Sequence, residues 1–356
     1  MERKSDACRP PRTVLIFRFS ALGDVCMTIP VVYGVCRANP DTQFVYVTKP
    51  PVTALFIDPP ANLAVAGADL KRDYRGWRGV IRLFRELCDK YHPDAVADLH
   101  SVLRTYLIDV VARMRGLRVV RLDKMRRQRQ ELTGRGATHA PALPSMVSRY
   151  AGVFARLGLR AESLEEAPVF GSLLSDTSAD VLPSKTAGMT WIGVAPFAAH
   201  RGKVYPVDRM YEVVKMLAAR PDTRIILFGG GPRETEILDA WAAGLAPAVV
   251  SLAGKKCGFA RELAVMGQCD VMLTMDSANM HLASLMGTRV ISVWGATHPA
   301  AGFGGWLQSQ DDAVQAPLPC RPCSVFGNKI CHRGDYACLS AVTPAEIVDK
   351  VISALV

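Results

Sequence analysis

Short runs of apolar, β-branched residues alternate with longer amphipathic stretches along this 356-residue chain, and the alternation occurs twice. In the first half the short runs fall at 13–17, 43–48, 94–98 and 118–122, with helical patterns at 24–38, 79–90, 101–115 and about 145–158. In the second half strands are expected at Thr190–Ala195, Arg224–Phe228, Ala248–Leu252, Val271–Met275 and Arg289–Val293. Helical patterns at 207–219, 232–243, 259–267 and 278–286 separate them. Runs this apolar suit parallel sheets covered on both faces. The fold class expected is α/β, with two Rossmann-like doubly wound domains facing a cleft. The first domain is placed at 1–175 and the second at 186–343, with 344–356 as a C-terminal helix free to pack back on the first domain. Thr343 as N-cap, Pro344 at N1 and Glu346 at N3 define the start of that helix. Gly171 to Gly188, rich in Ser, Thr, Asp and Gly, reads as the linker, and its break in the series argues against a single eight-stranded barrel.

A hydrophobic content of 49% is ample for globular burial. No apolar run is long enough to span a bilayer, and Met1 to Arg12 lacks the apolar core of a signal peptide, so a cytoplasmic location is expected. The net charge is +10, unevenly placed. Residues 1–180 hold 27 Lys/Arg against 19 Asp/Glu, a net of +8, and the remainder holds 16 against 14, a net of +2. Arg113, Arg115, Arg118, Arg121, Lys124, Arg126, Arg127, Arg129 and Arg135 make the densest run. Arg72, Arg75, Arg78, Arg82 and Arg85 make a second at near-helical spacing. Such runs suit either a solvated helix face or an anionic partner, a phosphorylated glycolipid or membrane surface. Nucleic acid is disfavoured, because no aromatic-interleaved motif accompanies the charge.

Of the ten cysteines, six are scattered, several among apolar neighbours. Cys320, Cys323, Cys331 and Cys338 instead form a C-x2-C-x7-C-x6-C cluster. In a reducing compartment that clustering suits a structural zinc or iron, with His332 as a substitute ligand. Free thiols or a redox-sensitive pair are the alternatives.

Four segments carry chemistry. In Arg18-Phe19-Ser20-Ala21-Leu22-Gly23-Asp24 a buried strand runs into a helix, and ligands of parallel α/β sheets gather at the carboxyl ends of strands. A carboxylate there is either a helix N-cap or a base for a substrate hydroxyl. In Gly193 to Pro206 a strand-to-helix loop carries Arg201 and Lys203, the lysine either a surface cation or a phosphate ligand. Phe228-Gly229-Gly230-Gly231-Pro232-Arg233-Glu234 is a Gly-rich turn at a helix N-terminus, with Glu234 able to accept from ribose hydroxyls. In Met275-Asp276-Ser277-Ala278-Asn279-Met280-His281-Leu282-Ala283, Asp276 and Ser277 stand where a strand meets a helix, and His281 is either a core histidine or a site residue. Neither a G-x-G-x-x-G fingerprint nor a Walker A sequence is present.

Together these segments resemble glycosyltransferase family 9, the lipopolysaccharide heptosyltransferases. The R-x-S-x-x-G-D pattern is matched at Arg18, Ser20, Gly23 and Asp24, and the D-S/T-G-x-x-H-L-A pattern at Asp276 to Ala283. Asp98-Leu99-His100-Ser101-Val102-Leu103-Arg104 resembles the D-L-H/Q-x-x-L-R segment. The resemblance implies a GT-B fold and metal-independent, inverting transfer from ADP-heptose to a hydroxyl of the lipopolysaccharide inner core, with no cofactor required. It implies Asp24 as general base, with Arg18, Ser20, His100 and Arg104 toward the acceptor. Arg201, Lys203, Glu234, Asp276, Ser277 and His281 would bind the donor, Lys203 at the diphosphate. The basic run then meets an anionic glycolipid through peripheral contact at the cytoplasmic face of the inner membrane.

Three features depart from the pattern. Ala278 replaces the common Gly, Tyr205 stands where Trp is usual, and the four-cysteine cluster lies outside the shared core. That cluster is similar to ones in relatives that glycosylate proteins, with different spacing. Another nucleotide-sugar or a protein acceptor on the same fold is the alternative enzyme. A non-catalytic nucleotide-sugar-binding protein is the alternative of another class.

Overall fold

The computed structural model describes residues 10–135, 141–161, 168–171, 181–182 and 184–355. Cys8 and most of the Gly171–Gly188 segment lie outside them. The chain forms two compact units, one of residues 1–124 with 146–166, the other of 125–145 with 167–356.

The first unit runs β1 (Thr13–Phe17), α1 (Leu22–Ala38), β2 (Gln43–Thr48), β3 (Leu63–Gly67), α2 (Gly76–Tyr91), β4 (Ala95–Asp98), α3 (Leu103–Met114) and β5 (Arg118–Arg121). Its sheet has the order β3-β2-β1-β4-β5, and every pairing is parallel. The central strand β1 buries Val14 to Phe17 completely, because both faces of a doubly wound sheet are covered. Helix α1 continues through Pro30 and buries nearly every residue from Val25 to Cys36. Helix α2 is one-sided: Val80, Leu83, Phe84 and Leu87 meet Ile108 and Ala112 of α3 in one core.

Next come α4 (Arg126–Arg135) and α5 (Met146–Ala155). Helix α5 packs on α1 in the first unit, but α4 belongs to the second. Leu132 of α4 is fully buried beside Leu143, Ala300 and Ala301, and the Arg129 guanidinium lies over the rings of Phe303 and Phe326 at 5.4 and 5.6 Å. A domain boundary near 175 therefore misses a segment, 125–145, that returns to the second unit.

The second unit has β6 (Thr190–Ala195), α6 (Val207–Ala218), β7 (Thr223–Leu227), α7 (Pro232–Gly244), β8 (Val249–Ser251), α8 (Phe259–Gln268), β9 (Val271–Met275), α9 (Ala278–Leu285), β10 (Val290–Val293), β11 (Ala313–Val314), α10 (Ala337–Ser340) and α11 (Pro344–Ser353). The order is β11-β10-β9-β6-β7-β8, again parallel. Helix α11 starts at the expected box, with Thr343 Oγ1 accepting from Glu346 N–H at 3.2 Å. Ile347, Val348 and Val351 enter the core of the second sheet with Val213 and Leu217 of α6, and Asp312 receives Arg289 at 2.9 Å. The apolar stripe of α11 thus has its complement inside its own unit. No helix of the described residues is long and apolar enough to cross a membrane.

Candidate functional site

At the carboxyl ends of β1 and β4 the first unit gathers the Arg18–Asp24 segment and the His100 loop. The helix begins at Leu22 with Ala21 as N-cap, which puts Asp24 at N3 and not at the cap. Its Oδ2 accepts from the Ala21 N–H at 3.1 Å and lies 2.6 Å from Arg18 Nη2. Both contacts use one oxygen, so among the described residues Oδ1 is uncommitted. Arg18, itself buried, donates from Nη1 to Leu99 O at 2.7 Å and so ties the β1 loop to the β4 loop.

Asp98 shapes that second loop. Its Oδ1 accepts from the N–H groups of His100 and Ser101 at 2.9 and 2.8 Å, which turns the His100 ring toward Ser20, Nε2 to Oγ 3.4 Å. Burial, Arg18, Lys124 and, less strongly, Lys49 push the imidazole down to about 3, so His100 is neutral at physiological pH. The same cations make this end of the sheet attractive to an anionic ligand. Arg104 is exposed on α3 and makes no hydrogen bond or ion pair among the described residues, so the structure leaves it outside the Arg18–Asp24–His100 group.

In the second unit, Lys203 Nζ lies 2.8 Å from Asp276 Oδ2, and Thr297 Oγ1 donates to the same oxygen at 2.7 Å. Three strand ends thus converge, from β6, β9 and β10. Ser277 caps α9, and its buried Oγ has no partner among the described residues. The free amides of that first helical turn and the adjacent lysine suit an anion. His281 is buried within α9, only 5% exposed, as a core histidine would be. A cavity of about 550 Å³ in the same unit is lined by Phe197, Arg201, Tyr205, Gly231, Glu234 and Ile237 among others. Glu234 Oε2 accepts from Gly230 N–H at 2.9 Å, and Arg201 stacks over Tyr336 at 5.0 Å. Lys203, Asp276, Ser277 and His281 are not on this wall.

The cysteine loop serves as a buttress. Arg321, 4% exposed, donates to Gly295 O, Ala316 O, Trp294 O and Thr297 O at 2.5–3.1 Å, fixing the loop against the end of β10 that carries Thr297. Gly327 then lies flat on the lysine stem: with φ +74°, a Cβ there would sit 2.6 Å from Lys203 Cγ. Cys320, Cys323 and Cys331 are half-buried free thiols and Cys338 is buried. Among the described residues no group of three or more His, Cys, Asp or Glu is arranged to hold a metal. Burial first, and then the neighbouring Cys320 and Cys331, push up the thiols of Cys323 and Cys338, so the four cysteines stand near one another. Cys338 belongs to the apolar core, and the Arg321 guanidinium lies near Cys338, Cys320 and Cys323.

Sequence reasoning did not single out Asp98, Lys49, Thr297, Arg321 or Gly327. The first was legible in the D-L-H segment, since an Asp followed by two amides it can cap is a turn signal. Arg321 and Gly327 carry no such local signal.

The profile of glycosyltransferase family 9 (heptosyltransferase) matches residues 80–332. The lipopolysaccharide core heptosyltransferase OpsX of Haemophilus influenzae is 23% identical over 296 residues, covering 81% of this chain and 80% of that protein. A family 9 glycosyltransferase structure from Veillonella parvula superposes with a TM-score of 0.72 at 19% identity, covering 97% of both chains. E. coli heptosyltransferase WaaC, solved with ADP and with ADP-2-deoxy-2-fluoro heptose, superposes with a TM-score of 0.66 at 20% identity, over 96% of this chain and 99% of that one.

Proposed function

The chain belongs to glycosyltransferase family 9, the heptosyltransferase family, and from that premise we propose that it moves a heptose from ADP-heptose to an acceptor hydroxyl of the lipopolysaccharide inner core. The observation that carries this reading is the division of Asp24: one carboxylate oxygen is held by Arg18 and the Ala21 amide, and the other is uncommitted among the described residues. A base must be fixed in place yet keep a lone pair for the proton it takes.

The acceptor hydroxyl gives its proton to Asp24 Oδ1 as its oxygen attacks the anomeric carbon of the donor. The bond from that carbon to the ADP phosphate oxygen breaks on the opposite face, and configuration inverts. Lys49, Lys124 and Arg18 around neutral His100 suit the anionic groups of an inner-core acceptor. On the donor side Lys203 turns from Asp276 to the diphosphate, where charge grows as ADP leaves, and the N-terminus of α9 adds amide dipoles. Arg201 and Glu234, which line the 550 Å³ cavity, would serve the nucleoside, with Glu234 accepting from ribose hydroxyls. With Lys203 and helix amides available to the diphosphate, turnover is expected to persist in a chelator. The acceptor is a lipid-anchored saccharide, so the enzyme works in peripheral contact with the cytoplasmic leaflet of the inner membrane.

Support comes from the family, from OpsX, named for lipopolysaccharide core heptosyl transfer, and from a structural neighbour solved with ADP. The test is nucleotide release from a panel of ADP- and UDP-sugars with and without deacylated inner core. Acceptor-dependent ADP release from ADP-heptose is expected. Release from a UDP-sugar, or only with a protein acceptor, would replace the reading.

A further inference from the structure

Helix α3 is unusual among the helices of the first unit in what it leaves uncovered. Leu103 is 85% exposed, Val110 52% and Met114 82%, and with half-buried Leu107 they recur at i, i+4, i+7 and i+11, a single stripe along one face. The opposite face is spoken for: Thr105, Ile108, Asp109 and Ala112 are buried. A stripe of this kind on a water-soluble surface marks an interaction site.

Its flanks identify the partner. Arg104 lies about 100° to one side of the stripe and Arg113 about 80° to the other, both exposed and in no salt bridge among the described residues. Arg115 follows at the C-cap. The one acid of the helix, Asp109, is buried, so α3 shows the solvent apolar side chains and cations but no carboxylate. The neighbouring helix adds an exposed aromatic residue and further arginines. Trp77 of α2 is 62% exposed with the Arg78 guanidinium 5.1 Å over its ring, and Arg75 and Arg85 are exposed as well; Glu86 and Asp89 are the exposed acids of that helix. Helices α2 and α3 each lead into the next strand of one parallel sheet and pack together, so they run in the same direction and Trp77, at the start of α2, lies toward the Leu103 end of α3.

We propose that this face of α3, with Trp77, is a docking surface for an anionic phospholipid bilayer. The apolar stripe enters the acyl boundary while the arginines stay at the headgroups, as in interfacial helices. The stripe begins three residues after His100, so docking brings the acceptor end of the first sheet to the bilayer surface. The inference rests on, and deepens, the glycolipid-acceptor reading above.

The test is flotation of the full chain with acceptor-free vesicles of phosphatidylcholine, with and without phosphatidylglycerol. Binding is expected only to the anionic vesicles and should fall as salt rises. Val110→Ser/Met114→Ser should lower the partition coefficient by about tenfold or more, and Arg113→Ser by about fivefold. On deacylated, water-soluble acceptor these variants should turn over as wild type does. Equal flotation of variant and wild type would overturn the proposal. So would a dimer in sedimentation that Val110→Ser/Met114→Ser disperses, because the stripe would then belong to a second copy of the chain. Failure of the heptosyl-transfer reading would appear instead as no turnover on soluble acceptor, with flotation unaffected.

Discussion

Lys203 Nζ sits 2.8 Å from Asp276 Oδ2, both side chains largely withdrawn from water. Without donor, the cation assigned to the diphosphate is thus already neutralised. Thr297 donates to the same oxygen at 2.7 Å, which leaves Asp276 a partner when the lysine turns to a ligand. The pair stores the lysine in an ordered place near the N-terminus of α9 and spares the carboxylate from isolation.

Lys203→Ala should weaken ADP binding by about 10- to 100-fold, the range of a lost hydrogen bond to a charged group. Lys203→Arg should recover only part of it, because a planar fork replaces a point charge. Titration calorimetry with ADP measures both. Unchanged affinity in Lys203→Ala would remove the lysine from the donor site.

Gly327→Ala tests the buttress. At φ +74° an alanine is strained, and its Cβ would meet the Lys203 stem at 2.6 Å, so the lysine or the loop must shift. A stability loss of about 1 kcal/mol is expected from the backbone alone, with ADP affinity falling about tenfold, as for any misplacement of a charged contact. Acceptor KM should not change. A variant that melts lower but binds ADP normally would limit Gly327 to folding.

Asp109 gives a pH signature. Burial and the neighbouring Asp98 carboxylate push it up to about 7, so the protonated acid is the form the fold prefers. With the folded value raised above the ordinary carboxylate range, its contribution to stability is fully present below about pH 4. It is lost as pH climbs from there through about 7. Asp109→Asn, a permanent neutral donor, should flatten that fall, so its stability advantage over wild type grows from pH 5 to about pH 8. Urea midpoints across this range measure it, and a constant difference would contradict the buried-acid account.

Most strands were legible because burial on both faces makes them continuous apolar runs. β3 was not: Leu63-Ala-Val-Ala-Gly is an edge strand of small residues, mostly not buried. Nor was α4, whose ten residues are held by one buried leucine, Leu132, against partners at 143 and 300–301. Its arginines read as charge and not as a helix with an anchor. The site shows the same division. Asp24, Lys203, Glu234 and Asp276 stand at strand-to-helix junctions, where the alternation itself points to ligand chemistry. Arg321 and Gly327 act through contacts more than a hundred residues away in sequence from Lys203, and Thr297 is tied to Asp276 by a fold contact between β10 and β9. The pairing of Lys203 with Asp276 was likewise invisible, although each residue was found.

In the proposed reaction Asp24 takes the acceptor proton. Asp24→Asn keeps a carbonyl to accept from the Ala21 amide, so α1 should start where it does now. The measurement is acceptor-dependent ADP release from ADP-heptose, alongside ADP affinity, for wild type and this variant. The account predicts turnover reduced by about 10²–10⁴-fold with ADP binding unchanged, since the groups proposed for the nucleotide lie in the other unit. Turnover within a few-fold of wild type would contradict it and assign the base elsewhere.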